Sequence, residues 1–410
     1  MSKHTQISNR RANPVRILGT SLVIASLSLL SACGTNGAYT TEGKNAAKEK
    51  MAQLKSATEW QMSHQAFLAG DLPKALKHAN VSIELNDKVV KSYVLRGRIQ
   101  MEMGNLDGAS ASFAQAEKTN AEDVDTWYYQ GILAERIDRK DEALRRYRGA
   151  NERDVSNPQY AIAAAEMMMA MDQLDQAEQY LLERKVKFDH SPGIKQTLGH
   201  IEMLRGNPSK AIPLFSEARL LAPDDQAIIE DLIRAQIATR EFGQAEGNLA
   251  RILNNKANAD RRDLIHARAK CLIQLDRIVE ARDLLVKLTN DPNGTTDAEA
   301  WIELGQLCYT LRDQARLRTA SGRAIALAPT KPEGYVLRAL YLRQTGDTTG
   351  AEANLRKALD IRQDAETYIV LGLVQRDMQR ISEARSNFSM ALKIDPNNQD
   401  AQKLLAAVRE

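Results

Sequence analysis

The chain has 410 residues, of which 56 are Lys or Arg and 53 are Asp or Glu. Four of the basic residues and none of the acidic ones lie in residues 1–33, which leaves 52 basic and 53 acidic side chains in the remainder, a net charge of −1. Because nucleic-acid binding is driven by clustered positive charge, this balance predicts no nucleic-acid partner.

The first predicted element is an uncharged apolar run, Ile17–Leu30, which follows the basic residues Arg10, Arg11 and Arg16. A basic segment, a short apolar run and small residues after it are typical of a secretory signal. The run has 14 residues, fewer than the roughly 20 that a membrane-spanning helix needs. The sequence therefore predicts export.

The end of this run, Leu-Ser-Ala-Cys, resembles the lipobox of bacterial lipoproteins, in which the cysteine is acylated and becomes the new N-terminus. The resemblance implies a signal peptide in residues 1–32 and palmitate on Cys33. It also implies a periplasmic protein anchored to the outer membrane, because Gly34 and not Asp follows the cysteine. An ordinary signal peptide with a coincidental cysteine is the alternative. Residues 33–55 are predicted to hold the lipidated cysteine, a flexible tether over Gly34–Lys44 and the start of the first helix.

The rest of the chain repeats a unit of about 34 residues. Twelve residues before several anchor positions stands a glycine, and four residues after the anchor stands a large apolar residue, a pattern that predicts two helices packed closely as a hairpin. Turns such as Ala69-Gly70-Asp71 separate the two helices, because glycine ends a helix readily and Asp can begin the next one. The anchors are Ala75, Ala109, Ala143, Ala177, Ala211, Ala245, Ala281, Leu317, Ala351 and Ala384.

This unit resembles the tetratricopeptide repeat (TPR) family, most fully in repeat three with Trp127, Gly131, Ala143, Tyr147 and Ala150. The resemblance implies an all-α fold, a TPR superhelical solenoid of about ten helix-turn-helix repeats. Repeats 1–6 are predicted in residues 56–261, repeats 7–10 in residues 262–398 and a capping helix in residues 399–410. The period slips at 254–261 and 289–297, where loops are predicted.

The chain contains no recognised catalytic motif, so we predict no enzyme activity and no cofactor. Its histidines are scattered over several repeats, and a metal site needs ligands that converge, so no metal is predicted. Beyond Cys33 the cysteines are Cys271 and Cys308. They are predicted as buried small hydrophobes, with a disulfide between them as the alternative.

In the TPR family the first helix of each repeat lines a concave groove, and four of its positions face the ligand. The mixture of charged, tyrosine and isoleucine side chains at those positions suits an extended peptide or a partner helix. Carried over by register, the predicted groove residues are Arg98, Asp125, Tyr128, Ile132, Glu135, Glu166, His200, Arg234, His266, Lys270, Tyr309, Arg343 and Arg376.

An anchored repeat array resembles the lipoproteins of pilus biogenesis, the TadD-like lipoproteins of tight-adherence (Flp) pili and the pilotins of type IV pili. The resemblance implies a non-catalytic scaffold that assists assembly or localisation of a pilus or secretion complex, with pilus and secretin components as partners and the membrane contacted through the lipid. The alternative is an envelope adaptor that recruits or regulates peptidoglycan synthases, hydrolases or proteases.

Overall fold

The computed structural model describes residues 41–185, 188–290 and 295–408, and within these ranges the chain is entirely helical. The predictions for residues 1–40, including the signal peptide, Cys33 and most of the tether, lie outside the described residues. The helices are α1 Thr41–Leu68, α2 Leu72–Leu85, α3 Val90–Glu102, α4 Leu106–Thr119, α5 Val124–Arg136, α6 Lys140–Arg153, α7 Pro158–Ala170, α8 Leu174–Lys185, α9 Pro192–Leu204, α10 Pro208–Leu221, α11 Gln226–Ala238, α12 Phe242–Leu253, α13 Arg262–Gln274, α14 Ile278–Asn290, α15 Ala298–Thr310, α16 Gln314–Leu327, α17 Pro332–Gln344, α18 Thr348–Ile361, α19 Ala365–Asp377, α20 Ile381–Ile394 and α21 Gln399–Ala407.

The helices form ten successive hairpins, from α1 with α2 to α19 with α20, and α21 packs against α20 as a cap. The predicted solenoid of ten repeats with a capping helix is therefore confirmed. Its start differs from the prediction, because α1 begins at Thr41, inside the segment predicted as tether. The Ala-, Lys- and Glu-rich residues 46–50 favour helix strongly enough to extend it through Gly43.

Both predicted breaks of the period occur near the expected positions. Residues 254–261 separate α12 from α13, as predicted. The second break is shorter than predicted, because Thr289 belongs to α14, where its buried hydroxyl donates to the carbonyl oxygen of Leu285 at 2.9 Å. That bond satisfies the buried hydroxyl within the helix, which ends at Asn290.

One backbone feature recurs in all ten hairpins, a residue with positive φ five positions before the anchor. In repeat eight this residue is Arg312, and the next amide, of Asp313, donates to the carbonyl of Cys308 at 2.8 Å, which closes the end of the first helix. Glycine adopts this conformation without strain, but six repeats use another residue. The ten residues are Gly70, Gly104, Asp138, Asp172, Gly206, Arg240, Asp276, Arg312, Gly346 and Gln379.

We expect Arg312→Gly to stabilise the protein, because glycine relieves the left-handed strain at φ 56°. The gain is about 0.5–1 kcal/mol after the greater freedom of glycine in the unfolded chain is subtracted. The opposite change at the same turn position, Gly346→Ala at φ 89°, should destabilise by a similar amount. Thermal unfolding followed by circular dichroism compares the two, and a lowered midpoint for Arg312→Gly would contradict the argument.

The two helices of a repeat pack closely because two facing residues, one on each helix, have matched volumes. In four repeats the first helix has a glycine, and an aromatic ring of the second helix occupies the space that a Cβ would need, with a closest approach of 2.5 Å. In three repeats that lack the glycine, the matching residue is leucine. The pairs are Gly97 with Phe113, Gly131 with Tyr147, Gly199 with Phe215 and Gly372 with Phe388, against Ala165 with Leu181, Ile233 with Leu249 and Ala269 with Leu285.

Candidate partner-binding groove

The odd-numbered helices form the inner wall of the stack. Several of them contact the next odd-numbered helix directly, as α7 does with α9 and α15 with α17, whereas no two even-numbered helices of the described chain contact each other comparably. In a curved stack the helices on the inside of the curve come closest together. We call the surface of the odd-numbered helices the groove.

All thirteen predicted groove residues lie on odd-numbered helices, and every one is half-buried or exposed. Arg98 is on α3, and Glu166 is on α7. Four residues come from α5, and the rest are spread singly or in pairs over α9 to α19. The α5 residues are Asp125, Tyr128, Ile132 and Glu135, and the later ones are His200, Arg234, His266, Lys270, Tyr309, Arg343 and Arg376.

Near its N-terminal end the groove holds a guanidinium group between aromatic rings. The Arg98 guanidinium carbon lies 5.1 Å from the ring centre of Phe67 on α1 and 4.5 Å from that of Tyr129 on α5. Cations bind the faces of aromatic rings at such distances. This contact links three successive repeats across the groove.

Three tyrosine rings cluster around Tyr128, the central residue of the next part of the groove. Its ring centre lies 5.2 Å from that of Tyr160 on α7, 5.4 Å from that of Tyr129 and 5.7 Å from that of Tyr147 on α6. Burial, followed by the charges around it, raises the pKa of Tyr128 to about 12. The Tyr147 hydroxyl donates to Glu135 at 2.8 Å, which holds this carboxylate at the edge of the cluster.

Two carboxylates beside this cluster are costly to ionise. Burial and then the charge of Glu135 raise the pKa of Glu166, an effect that His200 partly offsets. The pKa of Asp125 is raised by burial and by Asp123, against the opposing charge of Arg98. Both side chains are accessible to solvent, yet they stand in a concave surface where surrounding protein displaces much of the bulk water. Within the described ranges neither carboxylate makes a hydrogen bond or an ion pair.

Further along, histidines of the groove pair with carboxylates on the next inner helix. His200 Nε2 lies 2.7 Å from Asp231 Oδ2 on α11, which also accepts a bond from Gln196 at 2.6 Å and contacts Arg234. Burial opposes ionisation of Asp231, but the bonds from His200 and its other neighbours outweigh it and lower the pKa. His200 is thereby held in place across the α9–α11 interface.

The same arrangement recurs two repeats later. His266 Nε2 lies 2.5 Å from Glu303 Oε2, and Lys270 Nζ lies 3.3 Å from the other oxygen of that carboxylate. Desolvation raises the pKa of Glu303, but the bonds and charges of His266 and Lys270 together outweigh it, so the pKa is lowered. These predicted groove residues are therefore part of ion-paired contacts between repeats.

The C-terminal part of the groove combines packing with charge. Tyr309 packs on the core of repeats seven and eight, and Arg343 Nε donates to Asp377 Oδ2 at 2.6 Å. Arg376 is half-buried on α19, beside Asp377 in the sequence. Both arginines therefore stand beside the carboxylate of Asp377, in space or in sequence.

Sequence reasoning missed five residues that complete the groove. Three of them occupy the same position in their repeats, two residues before the glycine or the residue that replaces it. The repeat period alone could have identified this position. The carboxylate that pairs with Arg343 and the tyrosine that packs on Tyr128 lie outside the family's ligand-facing positions. The five are Tyr129, Asp231, Glu303, Tyr160 and Asp377.

The groove offers charged and aromatic side chains suited to recognition. In the part of the chain that the structure describes, no three His, Cys, Asp or Glu side chains are grouped so that they could hold a metal ion. Over the same residues, no helix combines the length and apolar character required to cross a membrane. Cys271 and Cys308 are both buried free thiols, and burial raises the pKa of each to about 11.

We expect Glu166→Gln to raise the stability of the folded chain at neutral pH. A carboxylate whose folded pKa lies above its unfolded value destabilises the fold when ionised, so removing the charge removes that cost. Because Glu166 is exposed, solvent screening limits the gain to less than about 1 kcal/mol. Glu152→Gln, on the exposed face of α6, is the matched control and should leave the urea midpoint unchanged. Equal midpoints for all three proteins would contradict the prediction.

Fold and groove together define a helical-repeat protein, a class in which an extended surface binds other proteins. Family models described as tetratricopeptide repeat match about half of the chain, at residues 94–165, 202–268, 332–364 and 365–398. The chain belongs to the tetratricopeptide repeat family, whose members generally act as non-catalytic protein-binding scaffolds.

Curated relatives are distant and longer. A homologue of the BBSome complex member BBS4 from Drosophila melanogaster is 23% identical over 327 residues, covering 77% of this chain and 60% of its own length. Human tetratricopeptide repeat protein 34 is 26% identical over 276 residues, covering 62% of this chain and 45% of its own. The chain thus spans about half the length of these relatives.

Solved structures share the repeat fold. PilF of Pseudomonas aeruginosa has a TM-score of 0.43 at 11% identity, covering 51% of this chain and 94% of its own. PilW, a type IV pilus biogenesis factor, has a TM-score of 0.42 at 19% identity, covering 49% of this chain and 93% of its own. At these values the likeness concerns the fold alone.

Proposed function

We propose that this chain is a lipid-anchored scaffold of the bacterial envelope that assists the assembly or localisation of a pilus or secretion complex. The observation that carries the scaffold role is the groove, whose inner helices carry charged and aromatic side chains accessible to a partner along the repeat array. Such surfaces bind a partner through a few anchor residues while the remaining contacts give specificity.

The anchor part of the proposal is supported by the sequence of residues 10–34, with its basic start, its apolar run and the Leu-Ser-Ala-Cys segment. A lipid at Cys33 would hold the array beside a membrane and so restrict it to partners at that surface. The pilus or secretion part is supported by the resemblance of an anchored repeat array to pilus-biogenesis lipoproteins.

Cys33→Ala tests the anchor. In cells fed an alkyne fatty acid, the unchanged chain should carry the label and fractionate with membranes, whereas Cys33→Ala should lose both properties. Cys271→Ala, which removes a buried thiol, is the control and should keep the label. A labelled Cys33→Ala protein, or an unlabelled parent, would refute the anchor.

Crosslinking in intact cells followed by affinity capture tests the partner class. Secretin and pilus components should be enriched with the unchanged chain and depleted with Cys33→Ala. Deleting the gene should also impair pilus or secretin assembly. Enrichment of peptidoglycan synthases, hydrolases or proteases in their place would support the adaptor role, and normal assembly after deletion would exclude the pilus role.

A further inference from the structure

We propose that the part of the groove formed by Tyr128, Tyr129, Glu135 and Glu166 binds a lysine or arginine side chain presented by a segment of the partner protein. This inference rests on the proposed scaffold function and names the chemistry of what that scaffold holds. We call these four residues the cation pocket.

Charge complementarity is the first argument. Elsewhere in the groove the carboxylates Asp231, Glu303 and Asp377 each have a basic partner on the same or a neighbouring inner helix. At the cation pocket, Glu166 has no ion pair within the described residues, and its neighbour Glu135 accepts only the neutral hydroxyl of Tyr147. A cation from a partner would supply the missing charge.

The protein itself provides the second argument. Arg98 already lies over the ring of Tyr129 at 4.5 Å, so one aromatic ring of the cation pocket holds a guanidinium group of the chain itself. No Lys or Arg of the described residues lies over the ring of Tyr128. A partner side chain would make the same cation-to-ring contact with the adjacent ring of Tyr128, whose centre lies 5.4 Å from that of Tyr129.

The third argument separates an organic cation from a metal ion. A calcium or magnesium ion needs many oxygen ligands at short distance, and the described residues contain no group of three acidic, His or Cys side chains that could provide them. Ammonium and guanidinium groups need fewer close ligands and also bind aromatic rings. The combination of tyrosine rings with two carboxylates therefore favours a basic side chain.

The cost of holding these carboxylates supports the same conclusion. Burial and the mutual repulsion of Glu135 and Glu166 raise the pKa of Glu166, so the unliganded groove keeps its negative charge at some expense. Functional sites often retain such strain because binding relieves it.

The test uses the chain from residue 34 onward with positional-scanning decapeptide pools at about 0.15 M salt, where long-range attraction is largely screened. Each pool fixes one central residue as Lys, Arg, acetyl-lysine or Glu. We expect Lys and Arg pools to bind about tenfold more tightly than acetyl-lysine or Glu pools, as a charge-assisted contact implies. Glu166→Gln combined with Glu135→Gln should abolish this preference, while Glu152→Gln on α6 should retain it.

The outcomes separate the two proposals. Binding without a preference for Lys or Arg, or a preference that survives the double change, overturns the cation pocket and leaves the scaffold function standing. Absence of binding by every pool overturns both. A preference that requires added calcium or magnesium also overturns the cation pocket. Circular dichroism confirms that the double variant is folded, and Glu166→Asp should restore part of the preference because it restores the charge.

Discussion

Gly199→Ala should lower the free energy of unfolding by about 1–2 kcal/mol, a large effect for a single methyl group. A Cβ at this position would stand 2.5 Å from Cε1 of Phe215 and 2.8 Å from two further ring atoms. The ring is fully buried, so the clash forces α9 and α10 apart instead of moving a side chain into solvent.

The matched control is the same substitution at Gly322, in the exposed middle of α16, where a Cβ would meet nothing within 4 Å. There the better helix propensity of alanine should stabilise by about 0.5–1 kcal/mol. Urea unfolding followed by circular dichroism measures both changes. Hydrogen exchange at α9 and α10 should show the Gly199→Ala effect locally, since repeats contact mainly their neighbours. Destabilisation of equal size at both positions would contradict the steric explanation.

The adjacent repeat suggests a rescue. Repeat four pairs Ala165 with Leu181, and both residues are fully buried. Gly199→Ala combined with Phe215→Leu would reproduce that pair in repeat five. We expect the double variant to lose about 1 kcal/mol less unfolding free energy than the sum of the two single losses, because the two side chains share one volume. If the two single effects simply add, the contact between these two side chains does not set the spacing between α9 and α10.

The repeat period could be predicted from the sequence because each hairpin uses the same few packing residues. The period could not predict features that depend on the residues of one particular repeat. Helix α1 starts earlier than its Gly- and Thr-containing beginning suggests, and α14 continues through Thr289, whose hydroxyl is satisfied within the helix. Arg240 and Gln379 hold left-handed turns without being glycine, since the two flanking helices already fix the chain there.

For the groove, the sequence predicted which helix faces it and which positions are accessible. It did not predict how neighbouring inner helices meet. The partner of His200 lies 31 residues later, whereas that of His266 lies 37 residues later, because His266 stands one helical turn earlier in its repeat and the repeat period is also slightly longer there. A groove carboxylate can be ion-paired, as Asp231 is, or unpaired, as Glu166 is. Which of the two occurs depends on the register between neighbouring inner helices, and only the structure supplies that register.

The C-terminal repeats should depend on a single buried carboxylate, Glu352. It accepts bonds from Arg356 at 2.8 Å within α18 and from Arg380 at 2.6 Å at the start of α20, and it is 7% exposed. We expect Glu352→Gln to lower the stability of repeats nine and ten by about 1–3 kcal/mol, since the charged bonds to both arginines are weakened. Asp360→Asn, an exposed charge on the same helix, is the control and should change the urea midpoint little.

The pKa of Glu352 predicts how the effect of Glu352→Gln changes with pH. Burial of Glu352 opposes its ionisation, but the bonds from Arg356 and Arg380 outweigh that effect and hold its folded pKa below the ordinary value of 4.5. A depressed folded pKa contributes stability that is present above 4.5 and is lost as the pH falls below it. The difference between the unchanged chain and Glu352→Gln should therefore be constant near neutral pH and shrink on acidification below 4.5. A difference that stays constant down to about pH 3 would show that Glu352 acts through packing and not through its charge.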